Sequence, residues 1–188
     1  LALSASIRSK EISCREVMQA YLDHIEKINP LVNAIVSLRP AEELLGEAKR
    51  ADQLLAQGMY LGWMHGMPQA PKDLASCRGI PTSKGSPLSS LKPDLNDAIC
   101  VARVREAGAI FIGKTNVSEF GLGSNSYNPV FGVTRNAYDT SRIAGGSSGG
   151  AGAALAMRML PVADGSDMMG SLRNPAAFNN VYGFRQIG

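Results

Sequence analysis

The chain has 188 residues, of which 45% are hydrophobic and 19% charged, which is typical of a globular protein and unlike a disordered one. Its net charge of +3 comes from singly placed basic residues, too few and too scattered to indicate a nucleic-acid partner. No apolar run reaches the length of a membrane span and no signal peptide is visible, so we expect no membrane partner. Cys14, Cys77 and Cys100 cannot all pair, which predicts reduced thiols and a cytoplasmic location.

The first half of the sequence alternates helices with a short strand. An S-x-x-E capping box begins at Ser13 and starts a helix, whose apolar residues recur at helical spacing until Pro30 ends it. The stretch "NAIVSL" (33–38) is typical of a strand. Pro40 then starts a second helix, and Gly58 ends it.

The second half continues the alternation. Asp97 is predicted to cap a third helix that Gly108 ends, and the apolar "AIFI" (109–112) follows as a buried strand. A fourth helix is predicted from about Gly150 to Leu160, and "PVADGS" (161–166) is interpreted as a strand entering a loop. Helices that alternate with short apolar strands predict an α/β fold, and the absence of a linker or repeat predicts one domain over the whole chain.

One motif suggests a nucleotide site but lacks the structural setting for it. The stretch "GAIFIGKT", from Gly108 to Thr115, matches the phosphate-binding pattern G-x-x-x-x-G-K-[ST]. That loop works by wrapping flexible backbone around phosphates, whereas the four middle residues here belong in a buried strand. We therefore reject nucleotide binding, which leaves Lys114 and Thr115 at the end of the strand, where α/β sheets place ligand contacts.

A second motif, in "IAGGSSGG" (143–150), matches G-x-S-x-G twice, around Ser147 and around Ser148. In an α/β-hydrolase a strand precedes this nucleophile turn and a histidine follows it in the chain. Both histidines, His24 and His65, lie upstream and are better explained as structural residues, so the motif fits a hydrolase of that kind only if a histidine follows residue 188. The alternative role of Ser148 is to cap the next helix.

Without a histidine, a nucleophilic serine needs another base, and lysine serves in Ser–Lys variants of the catalytic triad. Lys72 lies in "HGMPQAPKDLA" (65–75), an apolar segment bounded by prolines that favour the end or edge of a strand. Burial there would lower the pKa of Lys72 and supply the neutral amine that a general base requires.

Four motifs in order resemble the amidase signature family: "GMPQAPKD", "GKTNVSEFG", "GGSSGG" and "DGSDMMGSLRNPAA". The resemblance covers essentially the whole chain. It implies an α/β fold in which helices flank a mixed sheet, incomplete at the C-terminus because members of the family are usually much longer. It also implies that no metal or other cofactor takes part.

The resemblance implies a catalytic set of three side chains. Lys72 is the base, Ser147 lies in the Gly-Ser-rich loop beside a cis peptide bond, and Ser171 is the nucleophile. The two serines are 171 − 147 = 24 positions apart, which agrees with the spacing in the family. Ser171 would attack an amide carbonyl and pass its proton through Ser147 to Lys72, so we expect the two serine hydroxyls to be hydrogen-bonded. The oxyanion hole would be formed by the backbone N–H groups of Met168, Met169, Gly170 and Ser171.

The sequence departs from the family pattern at Met169, where the family usually has the first of two glycines before the nucleophile. A methionine there narrows the pocket, and it adds strain if the position requires a positive φ angle. Asp167 and Arg173 are expected to brace this loop and not to react.

Three functions remain open. The first is a stand-alone amide hydrolase that acts on small or medium-sized amides, which the stretch "YNPVFGVTRNAYDTSRIAGGSSGG" (127–150) favours. The second is an A-type subunit of a tRNA-dependent amidotransferase, in which released ammonia goes to a second active site. The third is a truncated, inactive member of the family. The partners that we expect are a small-molecule amide and a second copy of the chain in a homodimer.

Overall fold

The computed structural model describes residues 2–186, in which helices alternate with short strands. The helices are α1 (Ala2–Arg8), α2 (Cys14–Val32), α3 (Ala41–Ala56), α4 (Ile99–Glu106), α5 (Gly149–Ala156) and α6 (Arg173–Phe178). The strands are β1 (Ile35–Val36), β2 (Pro68–Gln69), β3 (Ile110–Phe111), β4 (Lys114–Thr115), β5 (Tyr127–Asn128) and β6 (Gly132–Val133). This is the predicted α/β class. None of the helices between residues 2 and 186 combines the length and apolarity of a membrane span.

Helix α2 begins as predicted and ends later than predicted. The Ser13 hydroxyl accepts the Glu16 N–H at 3.1 Å, and the Glu16 carboxylate accepts the Ser13 N–H at 2.9 Å, which completes the capping box. The prediction that Pro30 ends the helix is wrong, because Pro30 lies inside the last turn. A proline disturbs only the bond to the carbonyl four residues earlier, so the helix continues until Asn33 adopts a left-handed conformation with φ 52°.

The apolar faces of α2 and α3 pack against each other and contribute much of the core. Helix α3 follows Pro40 as predicted, and Gly58, with φ +83°, comes just after its end. Burying such faces is the main favourable term in folding. The fully or nearly fully buried side chains include Val17, Met18, Leu22 and Ile25 from α2 and Leu44, Ala48, Ala51 and Leu55 from α3.

The strands pair two by two, in mixed orientation. β1 and β4 are antiparallel, with Ile35 opposite Thr115, and β5 and β6 are antiparallel as well. β2 and β3 are parallel, and an isolated parallel bridge joins Lys72 to Thr115. The predicted strands in 33–38 and 109–112 are therefore present in shorter form. Because β4 follows β3 almost directly, the chain places Lys114 and Thr115 beside the segment that carries Lys72.

The prediction that Asp97 caps α4 is wrong. The residue at the cap position is Ala98, and no side chain bonds to the first turn. The Asp97 carboxylate instead pairs with Arg105, at 2.7 Å from its Nε, and accepts the Arg78 N–H at 2.7 Å. A carboxylate occupied by a guanidinium group and a loop N–H is not available to the helix.

The segment after α5 also differs from the prediction. The helix ends at Ala156 and not at Leu160, because the chain leaves the helical conformation at Arg158, which has φ +57°. Residues 161–166 form no strand and pair with no other strand within residues 2–186. This segment instead contacts the segment that carries Lys72 through the side chain of Asp164, whose carboxylate accepts the Lys72 N–H.

Candidate active site

Lys72 lies in a turn after β2, and its side chain is 2% exposed. The residues on either side of it are bonded to Thr115: the Thr115 N–H donates to the Pro71 carbonyl at 3.0 Å, and the Asp73 N–H donates to the Thr115 carbonyl at 3.1 Å. The N–H of Lys72 donates to the Asp164 carboxylate, at 3.1 Å from Oδ2. The backbone around Lys72 is therefore held from two sides.

The amine of Lys72 has two hydroxyl partners. Its Nζ donates to Ser147 Oγ at 2.8 Å and to Ser166 Oγ at 2.8 Å. Burial lowers the pKa of Lys72 to about 8, and the carboxylates of Asp164 and Asp167 partly oppose this shift. A lysine with such a pKa has a substantial neutral fraction near pH 8, which a general base requires.

The Gly-Ser-rich loop before α5 is tightly packed, as the glycines suggest. Ser147 is 1% exposed, and the peptide bond between Gly146 and Ser147 is cis. A Cβ atom on Gly146 would lie 2.7 Å from the backbone nitrogen of Asn125, so only glycine fits there. The Ser126 hydroxyl donates to the Ser147 carbonyl at 3.1 Å and accepts the Gly149 N–H at 2.8 Å, which fixes the loop beside Ser147.

Ser171 is half-buried and lies beside this loop. Its carbonyl accepts the Ser148 N–H at 3.0 Å, so the backbone of Ser171 is bonded to the residue after Ser147. The sequence predicts a hydrogen bond between the hydroxyls of Ser171 and Ser147. The structure differs, because these two described residues form no side-chain hydrogen bond with each other. Ser148 stands at the cap position of α5 without capping it, because its hydroxyl donates to the Ser166 carbonyl at 3.4 Å.

Asp167 organises the loop that leads to Ser171. Its carboxylate accepts the backbone N–H groups of Gly170, Leu172 and Arg173 at 2.8, 3.2 and 3.1 Å. The Arg173 guanidinium group adds hydrogen bonds of 2.9 and 3.0 Å. These contacts, above all those from Arg173, hold the pKa of Asp167 well below its usual range. Asp167 and Arg173 therefore brace the loop.

The four residues of the predicted oxyanion hole differ in how their N–H groups are used. The Gly170 N–H donates to Asp167, so it is occupied. The N–H groups of Met168, Met169 and Ser171 donate to no other described residue. Gly170 has φ +111°, whereas Met169 is not among the residues with positive φ, so the methionine adds no left-handed strain. The Met169 side chain is 85% exposed.

The two histidines hydrogen-bond to no member of this site in the described part of the chain. His65 is buried, with its Nδ1 accepting the Leu61 N–H at 3.1 Å and its Nε2 donating to the Ala51 carbonyl at 3.0 Å. His24 lies 2.7 Å from the Met157 carbonyl. Both are structural, as predicted.

A cleft of about 320 Å³ lies along the loop after β4. The residues before and after Gly121 line this cleft. A Cβ atom built on Gly121 would lie 3.7 Å from Ser147 Oγ, so this part of the loop is close to Ser147. Phe120 and Leu122 supply apolar surface, and Glu119 and Asn125 supply polar groups.

No three His, Cys, Asp or Glu side chains cluster as metal ligands within residues 2–186. The rejected phosphate motif falls on β3, because residues 110 and 111 are a buried strand.

Curated relatives of this chain are parts of amidotransferases. The A-type subunit of the glutamyl-tRNA(Gln) amidotransferase from Acidothermus cellulolyticus is 43% identical over 181 residues, which covers 96% of this chain and 36% of the relative. The protein of the same name from Coxiella burnetii is 42% identical over 183 residues, which covers 97% of this chain and 38% of the relative. The chain thus spans little more than a third of the length of these relatives.

Two solved structures with the same fold are amidases. A bacterial aryl acylamidase of the amidase signature family matches with a TM-score of 0.88 and 34% identity over 96% of this chain and 38% of that chain. The native peptide amidase from Stenotrophomonas maltophilia matches with a TM-score of 0.85 and 35% identity over 94% of this chain and 37% of that chain. A family model described as Amidase matches residues 16–186. The chain therefore belongs to the amidase family, whose members are also called amidase signature enzymes.

Proposed function

We propose that this chain carries the catalytic centre of an amide hydrolase, which cleaves a carboxylic amide to an acid and ammonia or an amine through a serine acyl-enzyme. The observation that carries the proposal is the hydrogen bond of 2.8 Å from Lys72 Nζ to Ser147 Oγ, between two buried side chains. A buried amine with a lowered pKa, in contact with a hydroxyl, is able to take up a proton from it. Membership of the amidase family supports the reaction class.

In the proposed first step Ser171 Oγ attacks the carbonyl carbon of the amide. Its proton passes to Ser147 Oγ, whose own proton moves to Lys72 Nζ. This step requires the Ser171 hydroxyl to turn towards Ser147. The oxyanion that forms would be stabilised by the free N–H groups of Met168, Met169 and Ser171, while the Gly170 N–H stays bonded to Asp167.

Collapse of this intermediate breaks the carbon–nitrogen bond and leaves the acyl group on Ser171. The leaving nitrogen takes the proton from Lys72 through Ser147. Water then attacks the acyl-enzyme, and its proton follows the same route to Lys72 before it returns to Ser171 with release of the acid. No residue outside the three named side chains has to carry a proton.

A second candidate is the A-type subunit of an amidotransferase, in which the ammonia is passed to another active site. The observation that favours it is the 43% identity with a protein of that kind. The two candidates share the same acyl-enzyme chemistry and differ in what accepts the ammonia.

For the location we propose the cytoplasm, which the free thiols of Cys14, Cys77 and Cys100 support.

The test uses the complete protein and a panel of small aliphatic and aryl amides together with glutamine. Ammonia or amine release by the isolated protein, lost in Ser171→Ala, is expected for the stand-alone hydrolase. Release from glutamine alone, and only in the presence of a partner protein, would favour the amidotransferase role. A protein that is folded yet neither hydrolyses any amide nor reacts with a fluorophosphonate at Ser171 would contradict the proposal and fit an inactive member of the family.

A further inference from the structure

A second buried lysine lies close to the site and has no part in the proposed proton transfers. Lys114 in β4 is 0% exposed. Removing an ammonium group from water is costly unless its surroundings compensate for the lost hydration. A buried lysine that does no chemistry therefore needs a structural explanation, which its hydrogen bonds provide.

Both hydrogen-bond acceptors of the Lys114 ammonium group are uncharged oxygens. Its Nζ donates to the Ala75 carbonyl and, at 2.7 Å, to Thr82 Oγ1. Thr82 Oγ1 itself donates to the Asp94 carboxylate at 2.6 Å, which orients the hydroxyl. None of the ion pairs within residues 2–186 involves Lys114. A cation held by a backbone carbonyl makes a strong, directional bond to the chain segment that carries that carbonyl.

That segment is the turn that begins at Lys72. The Ala75 N–H donates to the Lys72 carbonyl at 2.9 Å, and the Leu74 N–H donates to the same carbonyl at 2.7 Å, which closes the turn. Lys114 therefore holds the far end of the turn at Ala75. The next residue of β4, Thr115, bonds the residues on either side of Lys72. Two consecutive residues of one strand thus fix the turn at both of its ends.

We propose that Lys114 is a positioning residue for Lys72. By holding the Ala75 carbonyl it fixes the turn that directs Lys72 Nζ towards Ser147 Oγ. The inference rests on the proposed function, since it assigns Lys114 a part in the work of Lys72. A misplacement of about 1 Å in a reacting group is enough to cost about 100-fold in rate, so loss of this bond should slow the first chemical step and leave ligand binding nearly unchanged.

The test measures the reaction of the complete protein with a fluorophosphonate, in which the Ser171 oxygen bonds to phosphorus, fluoride leaves and the serine proton goes to Lys72 through Ser147. Lys114→Met, which loses the donor, should lower the maximal rate constant about 10- to 100-fold, with the half-saturating probe concentration within about twofold of wild type. Lys114→Gln, which keeps an N–H donor, should lose less. Lys49→Met, an exposed lysine of α3, is the matched control and should react like wild type.

Circular dichroism at the assay temperature shows whether each variant is folded. A folded Lys114→Met that reacts within threefold of the wild-type rate, or that loses only affinity for the probe, would overturn this inference while leaving the proposed function intact. Wild type that does not react at Ser171 would remove the proposed function and this inference with it. Should neither Lys114 variant fold, Thr82→Val decides. It removes the hydroxyl that helps to direct the ammonium group to the Ala75 carbonyl, so the inference predicts a slower reaction, and an unchanged rate would overturn it.

Discussion

Ser166 Oγ accepts a hydrogen bond of 2.8 Å from Lys72 Nζ, which also donates to Ser147 Oγ at 2.8 Å. The amine is thus fixed between two hydroxyls. A neutral amine that donates to Ser166 Oγ is anchored there, and it can then turn its lone pair to Ser147 Oγ, as the proposed proton transfer requires.

We predict that Ser166→Ala slows acylation, because it removes one of the two bonds that orient Lys72. The loss of one such bond should reduce the rate about 10-fold, and Ser166→Thr should restore most of it because the hydroxyl is retained. The rate constant for a fluorophosphonate is the measurement, and Ser90→Ala, at an exposed serine, is the control. Equal rates for Ser166→Ala and wild type would show that the second hydroxyl does not orient the amine.

Asp167→Ala is expected to destabilise the protein, since it leaves three backbone N–H groups and the Arg173 guanidinium group without their acceptor. We expect a decrease of about 2 kcal/mol in the free energy of unfolding by urea. The control is Asp139→Ala, which breaks the exposed pair of Asp139 and Arg142 and should cost clearly less than Asp167→Ala. Similar losses for the two variants would contradict the bracing role.

The same carboxylate predicts a dependence of stability on acid. Hydrogen bonds from Arg173 lower the pKa of Asp167 in the folded state, so the unfolded chain binds more protons as the pH falls below about 4. This contribution to stability is present above that pH and is lost as the pH falls through the folded pKa. The stability difference between wild type and Asp167→Asn should therefore shrink between about pH 4 and pH 2. A stability difference that stays constant over this pH range would contradict the lowered pKa of Asp167 in the folded state.

Gly146→Ala is expected to disrupt the loop at Ser147, because the added Cβ would lie 2.7 Å from the backbone nitrogen of Asn125. Overpacking of this kind costs about 1–3 kcal/mol, and the shift should also reduce the acylation rate. The matched control is Gly46→Ala in α3, where the nearest atom, Nη1 of Arg50, lies at 3.8 Å. That change should stabilise the protein by about 0.5–1 kcal/mol, because alanine is the better helix former. Two variants of equal stability would refute the close packing at Gly146.

Local signals predict the elements that are stabilised locally. The capping box at Ser13, the proline before α3 and the apolar run of β3 each act within a few residues, so the sequence reveals them. Asp97 is wrongly predicted as a cap because its carboxylate pairs with Arg105, which lies eight residues later, in the last turn of α4. A guanidinium group competes for the carboxylate in three dimensions, and the local pattern does not show this.

Residue patterns alone indicate Lys72 and the serines of the Gly-Ser-rich loop, but the complete proposed catalytic set, with Ser171 as nucleophile, could be predicted only through the family resemblance, because its members are far apart in the chain. Lys72 and Ser147 are 75 positions apart, and Lys72 and Ser166 are 94 positions apart. Sequence reasoning misses the role of Ser166, although this residue lies in the same "DGSDMMGS" motif as Ser171. For Lys114 the sequence predicts only a place at the end of a strand, and no short-range pattern indicates that its amine bonds to the turn at Lys72.

The claim that a neutral Lys72 is the base is tested most directly by the pH dependence of acylation. Because burial lowers the pKa of Lys72 to about 8, the rate of wild type with a fluorophosphonate should rise with pH around 8 and then level off. His65→Gln should keep this profile, and Lys72→Met should lose nearly all of the reaction at every pH. A rate that rises near pH 6.5 in wild type, loses that rise in His65→Gln and persists in Lys72→Met would contradict the account.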